Sequence, residues 1–176
     1  MAATVMTGGK REPRTCGYCA YKLEEVFYSR IPLTQKLGAR IVYYDGQRLL
    51  MQAPLAVHAV SCGSAFVGSV AAILMLCGFG LIQLKLSEIG YGADVMLGRS
   101  TLSHEGDVRN DMQAFCELAP GFGLDRFQQA YRRRKMANMH VVGGIECDSQ
   151  TLVAFDGIYA VRNVCATNKG FLGSLA

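Results

Sequence analysis

The sequence has no tryptophan and only four prolines, and charged residues make up only 18% of it. So few charges beside 51% hydrophobic residues exclude a disordered chain and predict a well-filled core. Internal repeats and low-complexity tracts are also lacking. At 176 residues the chain is long enough for one well-packed domain and short for two.

A strong charge of one sign is missing as well, since the net charge is +4. A dedicated nucleic-acid binder would be more basic, so this value argues against nucleic acid and favours an anionic small molecule or a docking role. The seven cysteines are dispersed, and the first residues predict neither a secretory signal nor a transit peptide. We therefore expect a reducing compartment inside the cell, mitochondrial or cytoplasmic.

From Leu49 to Leu84 the chain contains no Asp, Glu, Lys or Arg. Its most apolar part, Val67–Leu84, is just long enough to span a membrane. Three glycines and two polar residues interrupt that part, and neither an aromatic belt nor a one-sided basic flank frames it. The run therefore predicts a buried core helix, with a membrane span as the alternative.

Hydrophobic periodicity and turn residues predict the elements around this helix. A short helix over Tyr21 to about Ser29 is followed by a second helical piece after Pro32, and Asp45-Gly46 marks a hairpin. The long helix follows Gly63 and ends near Ile89. Four strand-like segments come last: Asp94–His104, Asp111–Glu117, Lys135–Glu146 and Leu152–Val161, with "APGFGLD" and "CDSQ" as turns or loops.

This order predicts an α+β fold in which one antiparallel sheet curls around a single long helix. The expected divisions are an N-terminal arm (1–20), a domain (21–162) and a C-terminal tail (163–176). The Cys16-x-x-Cys19 pair in the arm has no second ligand pair at zinc spacing. It is interpreted as two ordinary cysteines, although a partner's residues could complete a metal site.

Four stretches in order, "IPLTQKLGARIVYYDGQRLLMQAPLA", "GSAFVGS", "GFGLIQLKLSEIG" and "RSTLSH", resemble the YiiD C-terminal type of thioesterase in the hotdog superfamily. The resemblance covers roughly Tyr28 to Val161. It implies a hotdog fold, pairing into a homodimer or with a similar hotdog chain, and hydrolysis of acyl thioesters such as acyl-CoA in a cleft between subunits. It implies no metal and no cofactor.

Hydrolysis of a thioester turns its carbonyl oxygen into an oxyanion, which free backbone amides at a helix N-terminus can stabilise. The resemblance puts the amides of Phe66, Val67 and Gly68 at that position. Relatives carry Asn-x-Asn before the glycine turn, where this chain has His58 and Val60. Ser64 replaces a threonine of the family pattern, and Val67 replaces a glycine.

Two further groups are candidates for the site. His104, within Ser103-His104-Glu105, stands near the position where relatives have Tyr and then Pro, and it could serve as the base in place of His58. The basic run "YRRRK" contains Arg132, Arg133 and Arg134. These arginines could contact the phosphates of coenzyme A, or else lie on a solvated strand edge.

Two functions remain open from the sequence. The polar residues lost from the family pattern favour a catalytically degenerate, thioesterase-like subunit of a larger complex, for which a mitochondrial setting is expected. The alternative is an active acyl-CoA thioesterase that uses the Val67 and Gly68 amides with His58 or His104 as base.

Overall fold

The computed structural model describes residues 17–147 and 150–163, with side chains from residue 21 onward. The predicted arm therefore lies outside the described residues up to position 16, and the tail does so from position 164. Cys16 and the side chain of Cys19 also fall outside. Positions 17–20 belong to the first helix, so this helix starts earlier than the sequence pattern indicated.

Four α-helices and six strands make up the described domain. The helices are α1 (Gly17–Arg30), α2 (Pro32–Lys36), α3 (Val67–Glu88) and α4 (Leu124–Arg134). The strands are β1 (Arg40–Tyr44), β2 (Arg48–Ala53), β3 (Ala93–His104), β4 (Met112–Leu118), β5 (Met136–Cys147) and β6 (Gln150–Asn163). They form one antiparallel sheet in the order β1-β2-β4-β5-β6-β3.

The predicted hairpin at Asp45-Gly46 is confirmed and joins β1 to β2. The Asp45 carboxylate accepts hydrogen bonds from the amides of Gln47 and Arg48, at 2.9 and 2.8 Å. Gly46 has φ +89°, in the left-handed region that favours glycine. Local turn chemistry thus sets the register of this edge of the sheet.

The long apolar run forms α3, which lies along the sheet as the predicted core helix. Its inward residues, among them Ile73, Cys77 and Leu81, are fully buried beneath side chains of the strands. By length and composition α3 would also suit a membrane span. Packing of the helix into the core of the domain accounts for its apolar inward face without a bilayer.

Helix α4 is the main departure from the sequence-based prediction, which assigned no helix between the last strands. "APGFGLD" is a loop only up to Gly123, and "YRRRK" forms the last turn of α4 instead of a strand edge. Phe127 and Tyr131 are one turn apart, stack at 5.8 Å between ring centroids and are both buried. Together with the partly buried Leu124 they form the apolar side of an otherwise polar, arginine-rich helix of 11 residues. The sequence-based prediction missed this short helical pattern.

Candidate active site at the start of α3

A tight loop leads into α3 and presents the first turn of the helix to solvent. Gly63 turns the chain with φ +79°, and Ala59 forms an isolated antiparallel bridge with Ala65. Phe66 follows in an extended conformation, with ψ 129°, and caps the helix. The helix therefore begins at Val67, so Ser64 lies in the loop before it.

Two backbone amides at this end point away from the helix without an acceptor. Within residues 17–147 and 150–163, no protein oxygen accepts a hydrogen bond from the amide of Val67 or Gly68. The Phe66 amide, by contrast, donates to the carbonyl of His58 at 2.8 Å. Of the three amides expected at the oxyanion position, Phe66 is thus occupied, while Val67 and Gly68 are free to bind an anionic oxygen.

His58 is buried beside this turn, with both ring nitrogens in hydrogen bonds. Its Nε2 atom lies 2.9 Å from the carbonyl oxygen of Leu37. Its Nδ1 atom lies 3.1 Å from the hydroxyl oxygen of Ser69, in the first turn of α3. Ser69 was not among the residues that the sequence indicated. It is eleven positions from His58, so no local spacing connects the two.

Ser64, Val67 and His104 come together on a different side of the turn. They line a cavity of about 270 Å³ with Glu105 and Asp107. Ser64 is nearly buried and its hydroxyl lies 3.2 Å from the Cys62 thiol, whereas His104 is exposed. Val67 and Ser69 are two positions apart on the helix and so face different ways. The structure therefore separates the two histidine candidates: His104 shares a cavity with Val67, and His58 pairs with Ser69.

Cys62, two positions before the cavity residue Ser64, is exposed. The hydrogen bond from Ser64 to its sulfur lowers the pKa of Cys62 from the usual value for a thiol. Burial instead raises the pKa of Cys116, under the middle of α3. Cys62 is thus the more reactive of these two cysteines.

The three arginines lie far from this turn within one copy of the chain. Arg132 donates to the Tyr91 hydroxyl at 3.0 Å, and Tyr91 follows the C-terminal end of α3. Since α3 has 22 residues, roughly 33 Å of helix separates its two ends. A single copy therefore does not bring the arginines to the free amides.

No group of three or more His, Cys, Asp or Glu side chains in the described part of the chain is arranged to hold a metal ion. The features assembled at the start of α3 are two free amides, a serine–histidine pair and a cavity with a second histidine. This set can bind an oxyanion and accept a proton.

Solved structures share the fold. A protein of unknown function from Chlorobaculum tepidum superposes with a TM-score of 0.77 at 23% identity, covering 82% of this chain and 94% of that one. A "putative thioesterase" from Shewanella oneidensis gives 0.73 at 22%, with 82% and 97% covered. A thioesterase from Haemophilus influenzae gives 0.63 at 15%, with 82% and 90% covered.

An antiparallel sheet curled around a long helix, shared with these structures, defines a protein of the hotdog class. The family model described as "Putative thioesterase (yiiD_Cterm)" matches residues 20–163. The chain belongs to that family. This agrees with the resemblance in the sequence, both in the family and in the extent of the match.

Proposed function

We propose that this protein hydrolyses acyl thioesters of the acyl-CoA class at the N-terminal turn of α3. The observation that carries the proposal is the pair of free amides at Val67 and Gly68. Aimed outward at the positive end of a 22-residue helix, they suit the oxyanion that forms when a thioester carbonyl is attacked.

An apolar groove beside the turn supports an acyl substrate. It has a volume of about 290 Å³ and lies between α2 and α3, with Leu37 and Ala72 at the end nearest the free amides and Phe79 farther along. Its lining is almost wholly apolar, as a hydrocarbon chain requires. A polar turn at the end of an apolar groove matches the two parts of an acyl thioester.

A degenerate subunit of a larger complex is the rival function, and it rests on polar residues missing from the family pattern. Among these positions are 58 and 60, where this chain has His58 and Val60 and relatives have asparagine. In the folded chain His58 is hydrogen-bonded to Ser69, at the edge of the candidate site. A proton acceptor is therefore available without the family amide, and we favour hydrolysis.

We further propose that two copies pair through β3. This strand is at the edge of the sheet, has 12 residues and pairs on one side with β6. A long edge strand exposes backbone donors and acceptors that a second strand can satisfy. Two-fold pairing makes the two α3 helices antiparallel, so the basic end of α4 in one copy comes level with the free amides of the other.

Hydrolysis is tested by release of free thiol from acetyl-, octanoyl- and palmitoyl-CoA. The decisive variants are Val67→Pro, which removes one free amide, and Val67→Ala, which keeps it. Proline is well suited to the first helical position, and Phe66 before it already has ψ 129°. We expect kcat/KM to fall on the order of 10²-fold in Val67→Pro and by less than about threefold in Val67→Ala.

Circular dichroism and thermal melting check that both variants fold. Equal rates for the two variants would show that the Val67 amide takes no part in the mechanism. Failure of the unaltered protein to hydrolyse any of the three thioesters would favour the non-catalytic subunit instead.

A further inference from the structure

The hydrogen bonds of His58 determine which ring nitrogen carries the proton when the imidazole is neutral. The Leu37 carbonyl oxygen can only accept, so His58 Nε2 must donate to it across 2.9 Å. Nδ1 of the neutral ring then has a lone pair, which accepts the Ser69 hydroxyl proton across 3.1 Å. A hydroxyl, an imidazole and an orienting oxygen are thus connected in series, as an activated serine requires.

Burial holds this series in place while leaving the hydroxyl within reach of a ligand. His58 is 8% exposed and Ser69 is half-buried. Side chains in a helix tilt toward its N-terminus, so that of Ser69 leans over the first turn, where the Val67 and Gly68 amides are free. The hydroxyl and the two amides therefore lie at the same end of the helix.

The apolar groove between α2 and α3 begins at the residues next to this series. Leu37, whose carbonyl orients His58, lines the groove, and so does Ala72, one turn after Ser69. Leu76 and Phe79 continue the same face of the helix. From Ala72 to Phe79 the helix rises roughly 10 Å, which suits a medium-length acyl chain better than a long one.

We propose that Ser69 is the nucleophile for the thioester hydrolysis proposed above, with His58 as its base and the α2–α3 groove as the site of the acyl chain. Ser69 Oγ bonds to the thioester carbonyl carbon, and its proton passes to His58 Nδ1. The carbonyl electron pair moves to the oxygen, which faces the Val67 and Gly68 amides. The C–S bond then breaks, and the departing sulfur takes the proton from His58.

This first step leaves a free thiol and an acyl ester on Ser69. Water then attacks the ester carbonyl and gives a proton to His58 Nδ1. As the carboxylic acid departs, that proton returns to Ser69 Oγ. Each proton and electron pair is accounted for with water as the only co-reactant, so neither a metal nor a redox partner is needed.

The test combines trapping of the ester with matched serine variants of the full chain. The protein is mixed with octanoyl-CoA, quenched in acid and digested, and the peptide containing Ser69 is examined for the mass of an octanoyl group. In parallel, a fluorophosphonate, which labels activated serines, is applied without substrate. We expect both adducts on Ser69. We also expect kcat to fall on the order of 10²-fold or more in Ser69→Ala and to stay unchanged in Ser87→Ala, at the other end of α3.

His58→Gln adds a test of the base, because its amide can still donate to Leu37 but cannot take up the serine proton. We expect loss of fluorophosphonate labelling in this variant with an unchanged melting temperature. If His58→Gln fails to fold, the test of the nucleophile rests on the labelling of Ser69 and on the Ser69→Ala and Ser87→Ala variants.

The outcomes separate the two proposals. Rapid hydrolysis that is unchanged in Ser69→Ala overturns the nucleophile and leaves thioester hydrolysis standing. Loss of activity in Ser69→Ala without either adduct also overturns it, in favour of a serine that only positions water. Fluorophosphonate labelling of Ser69 without hydrolysis of any thioester supports the activated serine and overturns the substrate class. If Ser69 is not labelled and no thioester is hydrolysed, both proposals are overturned.

Discussion

The hydroxyl of Tyr159 lies directly against Gly78, where β6 meets the middle of α3. The hydroxyl donates to the Met75 carbonyl at 2.8 Å. A Cβ atom at Gly78 would lie 2.5 Å from the Tyr159 hydroxyl oxygen. Tyr159 is 1% exposed, so the ring cannot swing aside into solvent. The glycine is therefore required by the close approach of the central helix to the sheet.

Replacing this glycine with alanine should destabilise the fold, although the same change in an open helix usually stabilises it. We expect Gly78→Ala to lower the free energy of unfolding by about 1–3 kcal/mol, the usual cost of overpacking a core. Urea denaturation followed by circular dichroism measures it. Tyr159→Phe in the same background should recover part of the loss, since it removes the nearest atom. An unchanged midpoint in Gly78→Ala would contradict the packing described here.

Cys62 should react with iodoacetamide at lower pH than an ordinary thiol, because the Ser64 hydrogen bond lowers its pKa. A lowered pKa means that the thiolate is present from a lower pH upward. Ser64→Ala removes the hydrogen bond, so we expect the alkylation profile to shift to higher pH. Peptide mass spectrometry assigns each alkylated site, and Cys147, which is more buried, serves as the internal control. A profile that does not move in Ser64→Ala would show that the hydroxyl leaves the thiol unaffected.

The oligomeric state tests the proposed pairing through β3. Sedimentation equilibrium should give a mass of roughly twice 19.1 kDa. Hydrogen exchange should then show the edge amides of β3 protected at concentrations where the dimer forms and exchanging on dilution. A monomer at all concentrations would remove the pairing, and with it the route by which the arginines of α4 reach the free amides.

If the basic turn of α4 binds the phosphates of coenzyme A across such a dimer, its effect should depend on the nucleotide part of the substrate. We expect Arg133→Glu to raise KM roughly tenfold for octanoyl-CoA. It should leave KM unchanged for octanoyl N-acetylcysteamine, which has no phosphate. Arg126→Glu makes the same charge change in the first turn of the same helix and is the matched control. Equal effects of the two variants would mean that only net charge matters.

Much of the fold could be predicted because its signals are local. Asp45-Gly46 encodes its own turn, and the absence of charged residues from Leu49 to Leu84 favours a helix that is largely buried. Helix α4 was missed because its apolar residues Leu124, Phe127 and Tyr131 are few among arginines in a short helix, and their burial depends on the sheet beneath them.

The candidate site also has features that the sequence predicts and features that depend on tertiary contacts. The Val67 and Gly68 amides could be predicted, because a helix always leaves its first amides without acceptors. The occupied Phe66 amide and the Ser69–His58 pair could not, as each depends on a loop folding back onto the helix. The free amides at the start of a helix are thus determined by the local order of residues along the chain. Which side chains meet at the turn is decided by tertiary packing, because residues far apart in sequence contact one another only when the loop and α2 close over α3.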